Sequence, residues 1–178
     1  MTAAVRPVYL WALGAAVLLY LFARTKTGEV YIAGAADAIG GTVRGLRNNN
    51  PGNIRHSSSQ WQGMSATQTD GSFVQFDSMV YGVRAIAKLL QTYHYSHGLN
   101  SVADIISRWA PGNENNTAAY IAAVSDYLGV QADDYLDWSS PWTLFGLVRA
   151  IIRHENGLVA AALISDATIN DGLLAANT

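Results

Sequence analysis

Glu155 is the residue whose place in the sequence best suits acid–base chemistry. The chain has three glutamates, Glu29, Glu114 and Glu155. In a helix, Glu155 follows Ile151 at i+4 and Val148 at i+7, so it continues an apolar face. Partial burial, the lack of a same-face cation and the negative end of the helix dipole disfavour an ionised carboxylate, which suits a general acid. Alternatively, Glu155 is exposed by fraying of the helix end, or pairs with an arginine from elsewhere.

The composition argues against several other kinds of site. The chain has no cysteine, which excludes disulfides, thiolate metal sites and cysteine nucleophiles. His94 and His97 lie near a predicted helix end with no third ligand in view, so we expect no metal and no other cofactor. The net charge of −2 comes without a basic stripe, so we expect no nucleic-acid specificity.

Four predicted helices must position Glu155. Ser78 opens the first, which reaches about Tyr93. Residues typical of helix starts and ends predict the other three. The second helix begins at the capping box Ser101–Asp104 and stops at Pro111, and the third runs from Thr117 to Gly129 with Tyr120 on its buried face. The fourth begins at Ser140-Pro141 and ends at Gly157.

A small β-hairpin is predicted between residues 61 and 76. Trp61–Ala66 and Ser72–Phe76 have β-type composition, and Asp70-Gly71 between them is a dipeptide suited to a tight turn. With the helices, this hairpin predicts an α+β fold that is mainly helical.

The N-terminal run Val8–Ala23 has no charged residue and is flanked by Arg6, Arg24 and Lys26. As a helix it would be roughly 24 Å long, against a hydrocarbon core of about 30 Å. We interpret it as a transmembrane anchor in the lipid bilayer. A cleaved signal peptide and a buried core helix are the alternatives.

Changes in composition predict four segments. Residues 1–23 form the anchor, and residues 24–45 form a tether rich in Gly and Ala. Residues 46–165 form the folded domain, and residues 166–178 form a C-terminal tail.

Several short segments of the domain form a recognisable pattern, and the most specific is the block Arg-Asn-Asn-Asn-Pro-Gly-Asn-Ile at residues 47–54. The segments are Arg44–Arg55, Trp61–Gly63, Asp70–Phe76, Gly82–Ala85, Arg108–Pro111, Glu114–Thr117 and Arg153–Gly157. Together these matching segments resemble a phage virion-protein family.

That family is similar to lysozyme-like enzymes that cleave peptidoglycan, the lytic transglycosylases and muramidases. The resemblance implies a lysozyme-like domain that breaks the β-1,4 bond between N-acetylmuramic acid and N-acetylglucosamine. It places the acid at Glu155, at the end of a helix near the hairpin. In most relatives the glutamate helix precedes the hairpin, whereas here it follows. Either the fold is circularly permuted, or Glu155 is not the equivalent residue.

The resemblance leaves the second catalytic group open. Hydrolysis ordinarily uses two carboxylates, and Glu114 and Asp70 are the candidates. Glu114 alternatively supports the following helix N-terminus, and Asp70 is alternatively a turn residue. If neither faces Glu155, one glutamate acts as acid and then as base, as in lytic transglycosylases.

Residues of the matching segments are also candidates for glycan binding. Asparagine and arginine side chains could bind glycan amides and carboxylates, although special backbone angles explain the asparagines equally well. Tryptophans could stack on sugar rings, although core packing is the alternative. The candidates are Arg47, Asn50, Asn53, Arg55, Trp61, Trp109 and Tyr120.

Two functions follow from the resemblance. The first is a virion-associated enzyme, anchored in the membrane, that opens the wall during genome entry and acts at the host inner membrane and periplasm. The second is a non-catalytic virion or ejection protein that binds glycan or scaffolds a membrane channel. Peptidoglycan and other virion proteins are the expected partners.

Overall fold

The computed structural model describes residues 41–112 and 116–177. The proposed anchor Val8–Ala23 and the candidate catalytic residue Glu114 lie outside these ranges. The described residues contain six named helices, whose bounds are α1 Arg44–Arg47, α2 Met79–Tyr95, α3 Val102–Trp109, α4 Thr117–Leu128, α5 Pro141–Ala161 and α6 Asp166–Ala176.

The helix starts predicted from the sequence are confirmed. The N-cap of α3 is Ser101, whose hydroxyl accepts the Asp104 N–H at 3.1 Å. Ser140 caps α5 in the same way and is followed by Pro141. Ser78 is the N-cap of α2 without a side-chain hydrogen bond. Each of these residues stops the helix from extending backward, because its backbone is extended.

Two long helices form the centre of the core. The buried face of α2 includes Val83, Ile86 and Leu90, and that of α5 includes Leu147 and Ile151. Helix α2 packs mainly against α6, while α4 packs against α5 and α3. Helix α6 covers residues interpreted from the sequence as a tail.

The predicted α+β, lysozyme-like layout with a small hairpin is wrong, because the described residues are helical and contain no strand. The two predicted strand segments do meet. Met64 and Phe76 form an isolated antiparallel bridge, and the Ser65 N–H donates to the Gln75 carbonyl at 2.9 Å. No ladder extends from this pair.

Side-chain oxygens accept hydrogen bonds from the backbone N–H groups that a β-ladder would use. The Gln68 Oε1 accepts the Gln75 N–H at 2.7 Å, and Gln75 Oε1 accepts the Asp70 N–H at 3.1 Å. Asp70 Oδ1 accepts the N–H groups of Ser72 and Phe73. Such local bonds compete with strand pairing, so this segment folds as an irregular loop.

The predicted fold also included a membrane-spanning helix. Within residues 41–112 and 116–177, no helix has the length and apolar character needed to cross a bilayer.

Candidate active site

Glu155 lies where α5 stops being regular. The chain leaves helical geometry at Gly157, with φ 75° and ψ 164°. Glu155 is half-buried, and it follows the fully buried Ile151 and Ile152 on the same helix. The sequence prediction that this glutamate continues a buried face is therefore confirmed.

Three neutral donors from other parts of the chain converge on the Glu155 carboxylate. The Tyr120 hydroxyl donates to Oε1 at 3.0 Å, and the Trp109 indole N–H donates to the same oxygen at 3.4 Å. Asn53 Nδ2 donates to Oε2 at 3.0 Å. Together these three hydrogen bonds fix the positions of both carboxylate oxygens.

The loop at residues 48–54 brings Asn53 to the carboxylate. Asn53 has a left-handed backbone, with φ 46°, which asparagine tolerates better than most residues. The Asn50 side chain is fully buried, donates to the carbonyls of Ile54 and Val74 at 2.9 and 2.7 Å, and accepts the Ile54 N–H at 2.9 Å. Asn50 therefore holds the loop together from inside through its side chain.

The same loop is clamped onto the neighbouring helices. Asn156, directly after Glu155, donates to the Pro51 carbonyl at 2.7 Å. A Cβ at Gly52 would lie 2.7 Å from Ile86 Cγ1 and 3.1 Å from Trp109 Cζ2. Only glycine fits there, because real Cβ atoms rarely approach neighbours so closely.

Tyr120 is held as a neutral donor. It is 2% exposed, and burial, followed by the adjacent Glu155 charge, raises the pKa of its hydroxyl far above the ordinary value. The His154 ring stacks on the Tyr120 ring at a centroid distance of 3.6 Å. Burial lowers the pKa of His154, with Glu155 opposing that shift. Both rings beside the carboxylate are therefore uncharged near neutral pH.

A cleft of about 290 Å³ opens onto Glu155. Its polar wall includes Asn53 and Arg55, and its other walls are mainly aromatic or aliphatic. The lining residues are Gly52, Asn53, Ile54, Arg55, Phe73, Leu89, Tyr93, Trp109, Ala110 and Glu155. Clefts that combine apolar side chains with a few polar groups are typical of small-molecule sites. Among these lining residues, Glu155 is the sole acid.

Asp70, a candidate second carboxylate, is not among the residues that line the cleft. Asn48 Nδ2 donates to Asp70 Oδ2 at 2.8 Å, and the Arg44 Nε lies 3.5 Å from the same oxygen. The Asn48 hydrogen bond and the Ser72 N–H hold the pKa of Asp70 below its usual value. Its oxygens are thus engaged in organising the loop around it.

The other candidates divide between the cleft and the rest of the domain. Asn53, Arg55 and Trp109 line the cleft, and Tyr120 bonds Glu155. Two lie elsewhere. Arg47 is exposed and donates to the Gly41 carbonyl at 3.3 Å, and Trp61 packs against the core.

Sequence reasoning named four of the ten residues that line the cleft as candidates, and Phe73, Leu89 and Tyr93 are among the six that it missed. Phe73 was assigned to the hairpin. Leu89 and Tyr93 follow Ile86 at i+3 and i+7, so helical spacing alone could have placed them beside the predicted core face. Helical spacing alone does not distinguish a residue that lines a cleft from a residue buried in the core.

No group of three or more potential metal ligands occurs among the residues that the structure describes. The His94 ring, considered as a ligand, instead stacks on Trp138 at 4.2 Å.

The chain is similar to a known phage protein. Protein P5 of Pseudoalteromonas phage PM2 is 41% identical over 118 residues, which cover 65% of this chain and 72% of Protein P5. No family model matches the chain.

Proposed function

We propose a function for this chain on the premise that it belongs to the family of Protein P5 of Pseudoalteromonas phage PM2. The chain is a component of a phage virion and contacts other virion proteins. Its enzymatic role is to cleave the β-1,4 bond between N-acetylmuramic acid and N-acetylglucosamine in peptidoglycan, locally, during genome entry.

The observation that carries the enzymatic proposal is the convergence of Asn53, Trp109 and Tyr120 on Glu155 at the cleft. A carboxylate that only stabilised the fold would not need an open cleft. The three hydrogen-bond donors hold both carboxylate oxygens of Glu155 in fixed positions. A general acid requires such a fixed geometry. Because the donors are neutral, they orient the carboxyl group without pairing it with a cation.

The chemistry requires Glu155 in its protonated form at the start. Glu155 gives its proton to the glycosidic oxygen as the bond from that oxygen to the anomeric carbon breaks. The resulting carboxylate then accepts the proton of the 6-hydroxyl of the muramic acid, whose oxygen closes on the anomeric carbon. The product carries a 1,6-anhydro ring, no water is consumed, and Glu155 ends protonated.

This route needs a single carboxylate, and Glu155 is the sole acid among the described residues that line the cleft, while Glu114 lies outside the described residues. A hydrolytic route with a second carboxylate gives reducing ends instead. Mass spectrometry of the released muropeptides separates the two routes.

The test is clearing of purified peptidoglycan by the full chain. We expect Glu155→Gln, which keeps the size of the side chain but cannot give up a proton, to reduce the clearing rate at least ~100-fold, since acid catalysis contributes about 10²–10⁴-fold. Asp171→Asn, which changes an exposed carboxylate on α6, is the matched control and should clear normally. Failure of the wild type to clear any peptidoglycan would refute the enzymatic proposal and favour a non-catalytic glycan-binding virion protein.

A further inference from the structure

His154 covers one face of Tyr120, the tyrosine whose hydroxyl donates to Glu155. The imidazole and phenol rings lie almost parallel, at an angle of 12°, with their centroids 3.6 Å apart. The hydroxyl of the same tyrosine lies 3.0 Å from Glu155 Oε1. A single residue of α4 therefore contacts two consecutive residues of α5, His154 through its ring face and Glu155 through its hydroxyl.

The hydrogen bond to Glu155 depends on how the Tyr120 ring is turned. The torsion that rotates a tyrosine ring about its Cβ–Cγ bond is soft, with broad minima. Conjugation keeps a phenol O–H close to the plane of its ring, so rotation of the ring swings the hydroxyl hydrogen toward or away from its acceptor. A flat ring in face-to-face contact restricts that rotation. His154 therefore controls the direction in which Tyr120 donates.

His154 does this from an exposed position and without adding a charge. Its side chain is exposed, whereas Tyr120 is 2% exposed. The burial that the imidazole does undergo lowers the pKa of His154, with Glu155 opposing that shift, so the two stacked rings are neutral near pH 7. Substitutions at exposed positions usually change stability little. Replacing His154 therefore tests the orientation of Tyr120 more than the stability of the fold.

We propose that His154 is a positioning residue, which fixes the direction of the Tyr120 hydroxyl and, through that hydroxyl, the Glu155 carboxyl group. This inference rests on the proposed function for its choice of reaction. His154 takes no part in the proton transfers and acts through Tyr120. Catalytic side chains need such support, because a second layer of packed residues must hold their rotamers.

Clearing of purified peptidoglycan by the full chain measures the effect on the reaction. We expect His154→Ala, which removes the ring, to slow clearing roughly 3- to 10-fold, less than the loss of a whole hydrogen bond to a charged group, about 10- to 100-fold. His154→Phe puts a flat ring back at an exposed position and should restore most of the lost rate.

A double variant shows whether His154 acts through the hydroxyl. The Tyr120→Phe protein has no hydroxyl to orient, so adding His154→Ala should slow clearing little further. Two independent effects would instead multiply. Urea unfolding supplies the contrast, because Tyr120→Phe keeps the ring contact. Any stability that the contact provides is then lost in both backgrounds.

The orientation of the hydroxyl is also measurable without any reaction. NMR of the full chain with ¹³C-labelled tyrosine follows the exchange of the Tyr120 hydroxyl proton with water, and Tyr120→Phe identifies its signal. We expect slow exchange in the wild type and in His154→Phe. Exchange in His154→Ala should be at least ~10-fold faster, because a proton that leaves its acceptor more often is less protected from water.

Arg153→Ala is the matched control. Arg153 directly precedes His154 on α5, and its guanidinium carbon lies 4.8 Å from the ring centroid of Tyr127 on α4. The substitution removes a similar contact from a tyrosine that is not among the donors to Glu155. Clearing and hydroxyl exchange should both stay at the wild-type values.

Three results would overturn the inference. They are wild-type clearing by His154→Ala, a His154→Ala effect that multiplies fully with that of Tyr120→Phe, and unchanged hydroxyl exchange in a folded His154→Ala protein. If the wild type never clears peptidoglycan but hydroxyl exchange still depends on His154, the enzymatic proposal fails while the positioning of Tyr120 by His154 stands.

Discussion

At the scale of single residues, the Glu155 carboxylate is oriented by hydrogen bonds from neutral groups. The Tyr120 hydroxyl, the Trp109 indole and the Asn53 amide each donate to it. These groups come from three different parts of the chain, so the orientation of the carboxyl group depends on how those parts pack together. A fixed orientation matters for the proposed reaction, in which Glu155 both gives and accepts a proton.

Tyr120→Phe tests whether this orientation contributes to catalysis. The substitution removes only the hydroxyl, leaves the stacked His154 in place and takes one donor from Oε1. We expect clearing of peptidoglycan to slow about 10- to 100-fold, in line with a hydrogen bond to a charged group worth ~1.5–3 kcal/mol.

The control for Tyr120→Phe is Tyr127→Phe, which changes an exposed tyrosine on the same helix and should clear at the wild-type rate. Clearing by Tyr120→Phe at the wild-type rate, with an unchanged thermal midpoint, would show that this hydroxyl has no part in the reaction.

At the scale of elements, the 48–54 loop connects the site to the core. Its asparagines satisfy backbone groups within the loop and in residues 74–76, for instance through the Asn49 side chain, which donates to the Phe76 carbonyl at 3.0 Å. Gly52 lets the loop approach Ile86 and Trp109 closely. The position of Asn53 is therefore determined by the contacts of other residues in the same loop, one to five positions earlier in the sequence.

Gly52→Ala should disturb the site through the fold. The added Cβ meets Ile86 and the Trp109 ring, so Trp109 must shift from Glu155 or the loop must lift. We expect a loss of roughly 1–3 kcal/mol in the free energy of unfolding, as for other overpacked positions, together with slower clearing. Urea unfolding and the peptidoglycan assay measure the two effects.

Gly71→Ala is the matched control for Gly52→Ala, because a Cβ at Gly71 meets no atom within 4 Å. It should be neutral in both measurements. A Gly52→Ala protein as stable and as active as the Gly71→Ala protein would contradict the close packing of the loop.

The helices were predictable where local chemistry determines them, and the hairpin was not. Ser101 and Ser140 cap helices through atoms two or three residues away, so the signal lies within one stretch of sequence. The segment at residues 72–76 instead bonds two distant partners. The Val74 N–H donates to Ile54, and the Gln75 carbonyl accepts from Ser65. Alternating composition cannot show that the side chains of Gln68 and Gln75 replace a ladder.

The candidate site was predictable to a similar extent. Glu155 follows from helical spacing, and Asn53 and Trp109 belong to the matching segments. That Tyr120 meets the same carboxyl group depends on the packing of α4 against α5, which no single segment encodes.

At the scale of the whole molecule, the C-terminal helix α6 supports the site without touching it. Helix α2 provides the cleft residues Leu89 and Tyr93. Helix α6 packs closely against α2. At Gly172 of α6, an added Cβ would lie 2.4 Å from Val83 Cγ1 of α2. Arg84 Nε also donates to the Ala175 carbonyl at 3.0 Å. The α6 helix thus holds α2 in position behind the cleft.

Ile169→Ala measures how much α6 contributes. Ile169 is fully buried on α6, and truncating a buried isoleucine costs about 2–5 kcal/mol. We expect the free energy of unfolding in urea to fall by that amount in a single transition, because α6 and α2 share one core. Leu174→Ala removes an exposed leucine, 67% accessible, from the same helix, and should change stability by less than about 0.5 kcal/mol. An Ile169→Ala protein as stable as the Leu174→Ala protein would mean that α6 is dispensable for the domain, and that the cleft is supported by α5 and the 48–54 loop without it.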